Sequence, residues 1–174
     1  LGDIHILAWT TTPWTLPSNT ALTVGPKIDY VLVKSYNQYT HQPSQVLLAS
    51  ALVGKQFSGR FFEVDNEDDL TAYNAGDKKI PFLRTVEVKG KNLIDIRYEQ
   101  LLDYAQPYEN AEDAFRVIGG DFVTTEDGTG VVHTAPTFGA DDALVAKRAV
   151  PQIPPLLVLD ENDNPVPLVN LKGE

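Results

Sequence analysis

The stretch that most constrains this chain is Trp9-Thr10-Thr11-Thr12-Pro13-Trp14-Thr15-Leu16-Pro17-Ser18-Asn19. It follows an apolar run, Ile4 to Ala8, that reads as a strand entering the core. Proline lacks a backbone donor and restricts the residue before it, so Pro13 and Pro17 disfavour a regular helix. The threonines are β-branched and prefer extended backbone. The strand is therefore expected to end near Thr12 and give way to an irregular rim lined with hydroxyls. Neighbouring hydroxyls, a broad aromatic face and an amide suit the wall of a pocket for a small polar ligand. The plain alternative is an edge strand followed by turns.

Beyond this stretch the pattern predicts short strands. Thr20 to Val24 and Tyr30 to Lys34 are expected to be strands joined through Gly25-Pro26. Asn37 to Ser44 is polar and turn-rich. Val46 to Val53 reads as a short helix, or as a strand leading into one, ended by Gly54-Lys55. Residues Glu63 to Lys79 are acidic and read as a surface insertion, a solvated charge run. Phe82 to Val88 alternates as a strand, and the second half of Gly90 to Tyr104 is expected to be helical. Ala114 to Ile118 and Phe122 to Thr125 read as strands around Gly119-Gly120, with an Asp127-Gly128 turn leading into Val131-Val132. Ala140 to Ala149 is the clearest helix, because Asp141 and Asp142 open it and Lys147 and Arg148 close it, matching the helix dipole. Pro151, Pro154 and Pro155 then forbid helix, and Asp160 to Asn164 is a turn between extended segments.

Length and composition narrow the function. The 174 residues suffice for one domain, 1–174, with a sizeable core. The chain has no cysteine, which excludes disulfides and thiolate metal sites. No apolar run is long enough to span a membrane, so no membrane partner is expected and the cytoplasm is the expected compartment. A formal charge of −10 argues against gripping a long nucleic-acid backbone, DNA in particular, though one nucleotide end could be accepted. Leu1-Gly2-Asp3 runs straight into a strand, Leu171 to Glu174 ends without a helix, and methionine is absent; together these read as a piece of a longer protein.

A second polar stretch runs Gly128-Thr129-Gly130-Val131-Val132-His133-Thr134-Ala135-Pro136-Thr137-Phe138-Gly139-Ala140-Asp141-Asp142. Its glycines allow close backbone approach to a ligand. His133 ends an apolar strand, where a histidine is as a rule structural. Asp141 and Asp142 also suit a helix start, and adjacent residues cannot share one helix face. There is no G-x-S-x-G elbow, and His5, His41 and His133 are too scattered for a metal site. An enzyme built from these groups would position water and stabilise charge, with no metal or cofactor.

The two stretches, W-T-T-T-P-W-T-L-P-x-N and E-D-G-T-G-V-V-H-T-A-P-x-F-G-x-D-D, together resemble the editing domain of isoleucyl-tRNA synthetase, a class I aminoacyl-tRNA synthetase. The valyl and leucyl enzymes carry a T-T-R-P-type peptide, whereas Thr12 precedes Pro13 here. Residues 37–105 follow no pattern that aligns residue by residue. Many short strands and few helices lead to an expectation of a closed or sandwich-like β core with helical decoration; the resemblance implies a mainly β fold with a closed, barrel-like core and short peripheral helices. It implies hydrolysis of valine from isoleucine tRNA, and of valyl-adenylate. The implied partners are the tRNA 3′ end and the remainder of the synthetase. It implies that Asp142 holds the substrate ammonium, and that Thr11 and Thr12, with Thr10 beside them, contact substrate and order the attacking water. His133 would line the amino-acid side and exclude isoleucine, Trp14 would wall the pocket, and Asn19 would support the loop or the terminal adenosine. The tRNA's own terminal hydroxyl is a further candidate to assist. A catalytically silent tRNA-positioning module and an unrelated aminoacyl-ester hydrolase with a threonine nucleophile are the rival readings.

Overall fold

The computed structural model describes residues 2–170, and they are mostly sheet with few short helices. Strands are β1 (Ile4–Ile6), β2 (Ala21–Val24), β3 (Asp29–Tyr36), β4 (Pro43–Ala49), β5 (Phe61–Glu63), β6 (Ile80–Lys89), β7 (Arg116–Gly119), β8 (Val131–Thr134), β9 (Leu157–Leu159) and β10 (Pro165–Pro167). Helices are α1 (Val53–Gln56), α2 (Glu67–Thr71) and α3 (Ala140–Arg148), with short 3₁₀ turns between.

One sheet has the order β1-β4-β3-β6-β5. β3 is its axis, antiparallel to both β4 and β6. Its Tyr30, Val31 and Val33 are fully buried because both faces of the sheet are covered. On one face Val31, Val33, Leu48 and Phe82 pack with Val53 of α1. On the other, Tyr30, Leu47 and Ala49 meet Leu22, Val24, Val117 and Val131 of a second sheet, ordered β7-β2-β8. The outer face of that second sheet, through Ala21 and Ile118, is covered by Val145 and Ala146 of α3 and by Ile153. β9 and β10 pair separately, turned by Asp160 to Asn164 as expected.

The two larger sheets meet along a seam bridged by isolated bonds. Leu7 N donates to Leu47 O in the large sheet, and Trp9 N donates to Val131 O in the small one, each at 3.0 Å. Ala49 N reaches across to Thr129 O at 2.8 Å. Gly130 permits this approach: its φ is +75°, and a Cβ there would lie 2.5 Å from that of Ala49. Tyr30 fastens the same seam. Its hydroxyl donates to Gly130 O at 2.5 Å and accepts from Gly25 N at 2.9 Å, and burial pushes the phenol up to about 12. Among the described residues the ladders form three sheets and no ring of strands closes, so the mainly β character is seen and a closed barrel is not.

Several elements differ from expectation. The first strand stops at Ile6 and lies at the sheet edge with Ile4 and His5 exposed, instead of running through Ala8 into the core. Pro13–Ser18 form a 3₁₀ helix where irregular backbone was expected, because a proline at the first position forfeits no hydrogen bond. Gly54 lies inside α1, not after it. The second half of Gly90 to Tyr104 is not helical: a 3₁₀ turn ends at Asn92, Asp95 takes φ +70°, and Ile96 O is used by Val117 N of β7. Phe122 to Thr125 is no strand, and Phe122 is exposed where the chain turns away from β7. In the acidic stretch, α2 is capped by Asn66, whose side chain accepts from Asp69 N. Buried Leu70 seats α2 on the large sheet, helped by the Lys34–Glu67 ion pair and the Tyr36 hydroxyl, which donates to Leu70 O.

Candidate functional site

The 3₁₀ turn after Thr12 arranges the hydroxyls. Thr15 N donates to Thr12 O at 3.0 Å, and residues three apart eclipse in such a turn. The Thr12 and Thr15 hydroxyls therefore stack, 3.2 Å apart. Thr10 Oγ1 accepts from Thr12 N at 3.0 Å and lies 3.4 Å from Thr12 Oγ1. Thr15 Oγ1 in turn donates to Thr12 O at 2.8 Å.

β8 delivers the histidine. In the β2–β8 register His133 pairs with Leu22, and Thr20 N donates to Thr134 O. Asn19, just before β2, thereby lies beside His133. The imidazole is buried with both nitrogens engaged: Nε2 is 3.0 Å from Thr15 Oγ1, and Nδ1 is 2.8 Å from Asn19 Nδ2.

The protonation state follows from these partners. Asn19 Nδ2 also donates to Ala21 O at 2.8 Å, a carbonyl that can only accept, so the amide nitrogen must face that side. Asn19 Oδ1 accepts the Tyr98 hydroxyl at 2.5 Å, which agrees with this orientation. His133 Nδ1 therefore faces a donor and must be the acceptor, leaving the proton on Nε2, directed at Thr15. Burial pushes His133 down to about 4, and the surrounding donors leave a second proton no acceptor.

Asp142 is held differently. Gly139 provides no side-chain cap for α3; Asp142 Oδ2 accepts from Ala135 N at 2.8 Å and hooks the helix start onto the end of β8. Burial pushes its carboxyl up, the Ala135 N–H pulls it down, and neighbouring Asp141 pushes it up again.

The structure thus joins Thr10, Thr12, Asn19 and His133 in one hydrogen-bonded run. Thr11 and Trp14 are exposed on the same short segment. Among the described residues no hydrogen bond links Asp142 directly to that run; its connection is the backbone of Ala135, two residues beyond His133. A cavity of about 920 Å³ lies against the inner end, walled by Asn19, His133 and Tyr98 with apolar Ile6, Leu22 and Leu93; Thr10, Thr11, Thr12, Trp14 and Asp142 are not in its wall. Asp141 lines a separate cavity of about 540 Å³ with Arg116 and Arg148. Among the described residues no group of three or more histidines or carboxylates could hold a metal ion.

Two members of the run were not singled out by sequence reasoning. Thr15 stood in the threonine-rich stretch, and its position three after Thr12 was the available signal. Tyr98 gave none, because its contact with Asn19 spans 79 residues.

No family model matches the chain. It is 56% identical over 173 residues, 99% of its length, to the isoleucine–tRNA ligase of Bacteroides fragilis, and 57% identical over 171 residues to that of Cytophaga hutchinsonii. It spans 14% and 15% of the lengths of those relatives. Among solved structures it is similar to the P. falciparum cytosolic leucyl-tRNA synthetase editing domain, with a TM-score of 0.55 and 14% identity over 80% of this chain and 44% of that one. The GlLeuRS-CP1 structure gives 0.51 and 18% over 83% of this chain and 42% of that one. At such identities the likeness is one of fold.

Proposed function

Because this chain belongs, as a segment, to the isoleucine–tRNA ligases, we propose that it is their proofreading module, an aminoacyl-ester hydrolase that removes valine from isoleucine tRNA and also clears valyl-adenylate. The isoleucine–valine pair is itself the standard illustration of why such a module is needed: one methylene gives a binding pocket only about 1–3 kcal/mol of discrimination. A second site must then destroy the error.

The observation that carries this reading is the hydroxyl run Thr10–Thr12–Thr15, braced by His133 and leading past exposed Thr11. In the proposed reaction Thr11 and Thr12, with Thr10, order a water whose oxygen attacks the ester carbonyl. The carbonyl–ribose oxygen bond breaks, the ribose oxygen takes a proton, and free valine leaves. The one Nε2 proton of His133 is directed at Thr15, so His133 shapes the site and rejects isoleucine by bulk while acting as no base. Trp14 walls the site, and Asn19 supports the loop or the terminal adenosine. Asp142 receives the substrate ammonium, a charge that a partly dry site can accept only when paired. The module works in the cytoplasm on the tRNA 3′ end presented by the rest of the ligase, and the step uses no metal or cofactor.

The test is deacylation of Val-tRNA by the full-length ligase. Asp142→Asn keeps an acceptor for Ala135 N but loses the charge. Losing one partner of a buried charge pair costs about 2–5 kcal/mol, so hydrolysis should fall roughly thirtyfold to several-thousandfold. Asp141→Ala should lose little. Equal, small losses at both positions would take the ammonium role from Asp142. No hydrolysis by the unaltered ligase would leave a silent tRNA-positioning module.

A further inference from the structure

We propose that Tyr98 is a positioning residue for this site: by donating to Asn19 Oδ1 it fixes the amide that sets the His133 tautomer, and so aims the imidazole N–H at the threonine run. Tyr98 belongs to the segment after β6, remote in sequence from both motifs. Its ring packs edge-on to Phe115, centroids 6.2 Å apart, and sits against the main core, so the hydroxyl is presented from a fixed platform. From there the donors point one way. Tyr98 Oη–H donates to Asn19 Oδ1 at 2.5 Å, and Asn19 Nδ2–H donates to His133 Nδ1 at 2.8 Å. His133 Nε2–H then donates to Thr15 Oγ1 at 3.0 Å, and Thr15 Oγ1–H donates to Thr12 O at 2.8 Å.

Each bond leaves the next group one usable orientation. Burial raises the Tyr98 phenol above its ordinary range, so the hydroxyl remains a donor at any working pH. Ala21 O at 2.8 Å and Thr134 O at 3.4 Å hold the Asn19 nitrogen, and the Tyr98 hydroxyl holds its oxygen. Without that hydroxyl Oδ1 is a buried acceptor with no partner, and the amide twists to regain one from water in the adjoining cavity, drawing Nδ2 off the ring. With Nδ1 no longer facing a donor, the proton is free to move to it; Nε2 then becomes an acceptor, and Thr15 has to turn its own proton away from Thr12 O. The disturbance would thus reach the start of the 3₁₀ turn. The cavity beside Tyr98 and Asn19 adds space for water to compete for the same amide.

The inference rests on the proofreading reading for its rate measurement but not for its structural one. Tyr98→Phe keeps the ring packing and should fold. In the full-length ligase, its kcat for Val-tRNA deacylation should fall about five- to a hundredfold, the effect of orphaning one buried acceptor, with KM within about twofold. The acid limb of the kcat–pH profile should move up toward the ordinary histidine range, because Nδ1 is then freed of its donor and open to a second proton. Arg97 and Glu99, on the Tyr98 segment, and Asp3 and His5, near β1, line the same cavity and are unchanged by the substitution. Isoleucylation should be unaffected. A crystal structure of the variant should show a longer Asn19 Nδ2–His133 Nδ1 distance than the present 2.8 Å. An unchanged distance overturns the proposal, as does an unchanged kcat. If the unaltered ligase hydrolyses no Val-tRNA, the proofreading reading fails, and the crystallographic distance alone decides whether Tyr98 sets the ring.

Discussion

His133 is a residue whose neutrality is part of the fold. Its pKa falls from the ordinary 6.5 to about 4, so between those values the unfolded chain binds a proton that the folded chain does not. Stability therefore rises with pH across this window and is lost as pH falls through it. At about 1.4 kcal/mol per pKa unit, the loss between pH 7 and pH 4 approaches 3 kcal/mol. Urea unfolding of the chain at several pH values should show this slope, and His133→Gln should flatten it. An equal slope in both proteins would mean that His133 titrates freely when folded. Asp142 has the opposite sign: its carboxyl is raised, so the contribution it makes in acid is lost as pH rises above the ordinary carboxylate range. At this scale the sequence was partly legible. The threonines, Asn19 and His133 stand in two recognisable motifs, but the bond that joins them spans 118 residues, and no local pattern foretells which ring nitrogen carries the proton.

At the level of elements, local chemistry decided what could be read. α3 was legible because its charge order and the flanking Gly139 are local signals, and the Asp160 to Asn164 turn because its carboxylate closes it within four residues. The region after Asn92 was not. Its apolar residues suggest a helix, yet Ile96 and Tyr98 lie against β7 and Phe115, so tertiary pairing overrode periodicity. Two glycines, Gly130 and Gly54, separate these influences. Gly130→Ala must hold an L-residue at φ +75° and push against Ala49, and should cost about 2–4 kcal/mol. Gly54→Ala lies in α1 with open space around it and should stabilise by about 0.4–1 kcal/mol. Chemical denaturation of both variants checks the pair; equal effects would mean that the seam at Ala49 yields more easily than its geometry implies.

For the whole molecule, charge and topology matter most. The net charge of −10 is visible in composition, and the structure spends part of the acid locally, pairing Glu67 with Lys34 and Glu63 with Arg84. The chain alone should therefore bind tRNA no more tightly than the non-specific range, about 10⁻⁴–10⁻⁶ M, at physiological salt. Fluorescence anisotropy with labelled tRNA measures this, and a nanomolar constant would require a concentrated basic face. The sheet order was not legible, since short strands give no record of their partners: β1 lies beside β4 and β2 beside β7 and β8 only because distant segments share a core. The crossing at Trp9 gives that order a consequence in time. The threonine run is anchored by Leu47 before it and by Val131 and His133 beside and after it. On the ribosome, where the chain emerges from its amino end, the hydroxyls are exposed long before β8 exists to brace them. A nascent chain that has not yet delivered His133 therefore carries the motif without the site, and any hydrolytic power is withheld until most of this segment has been made.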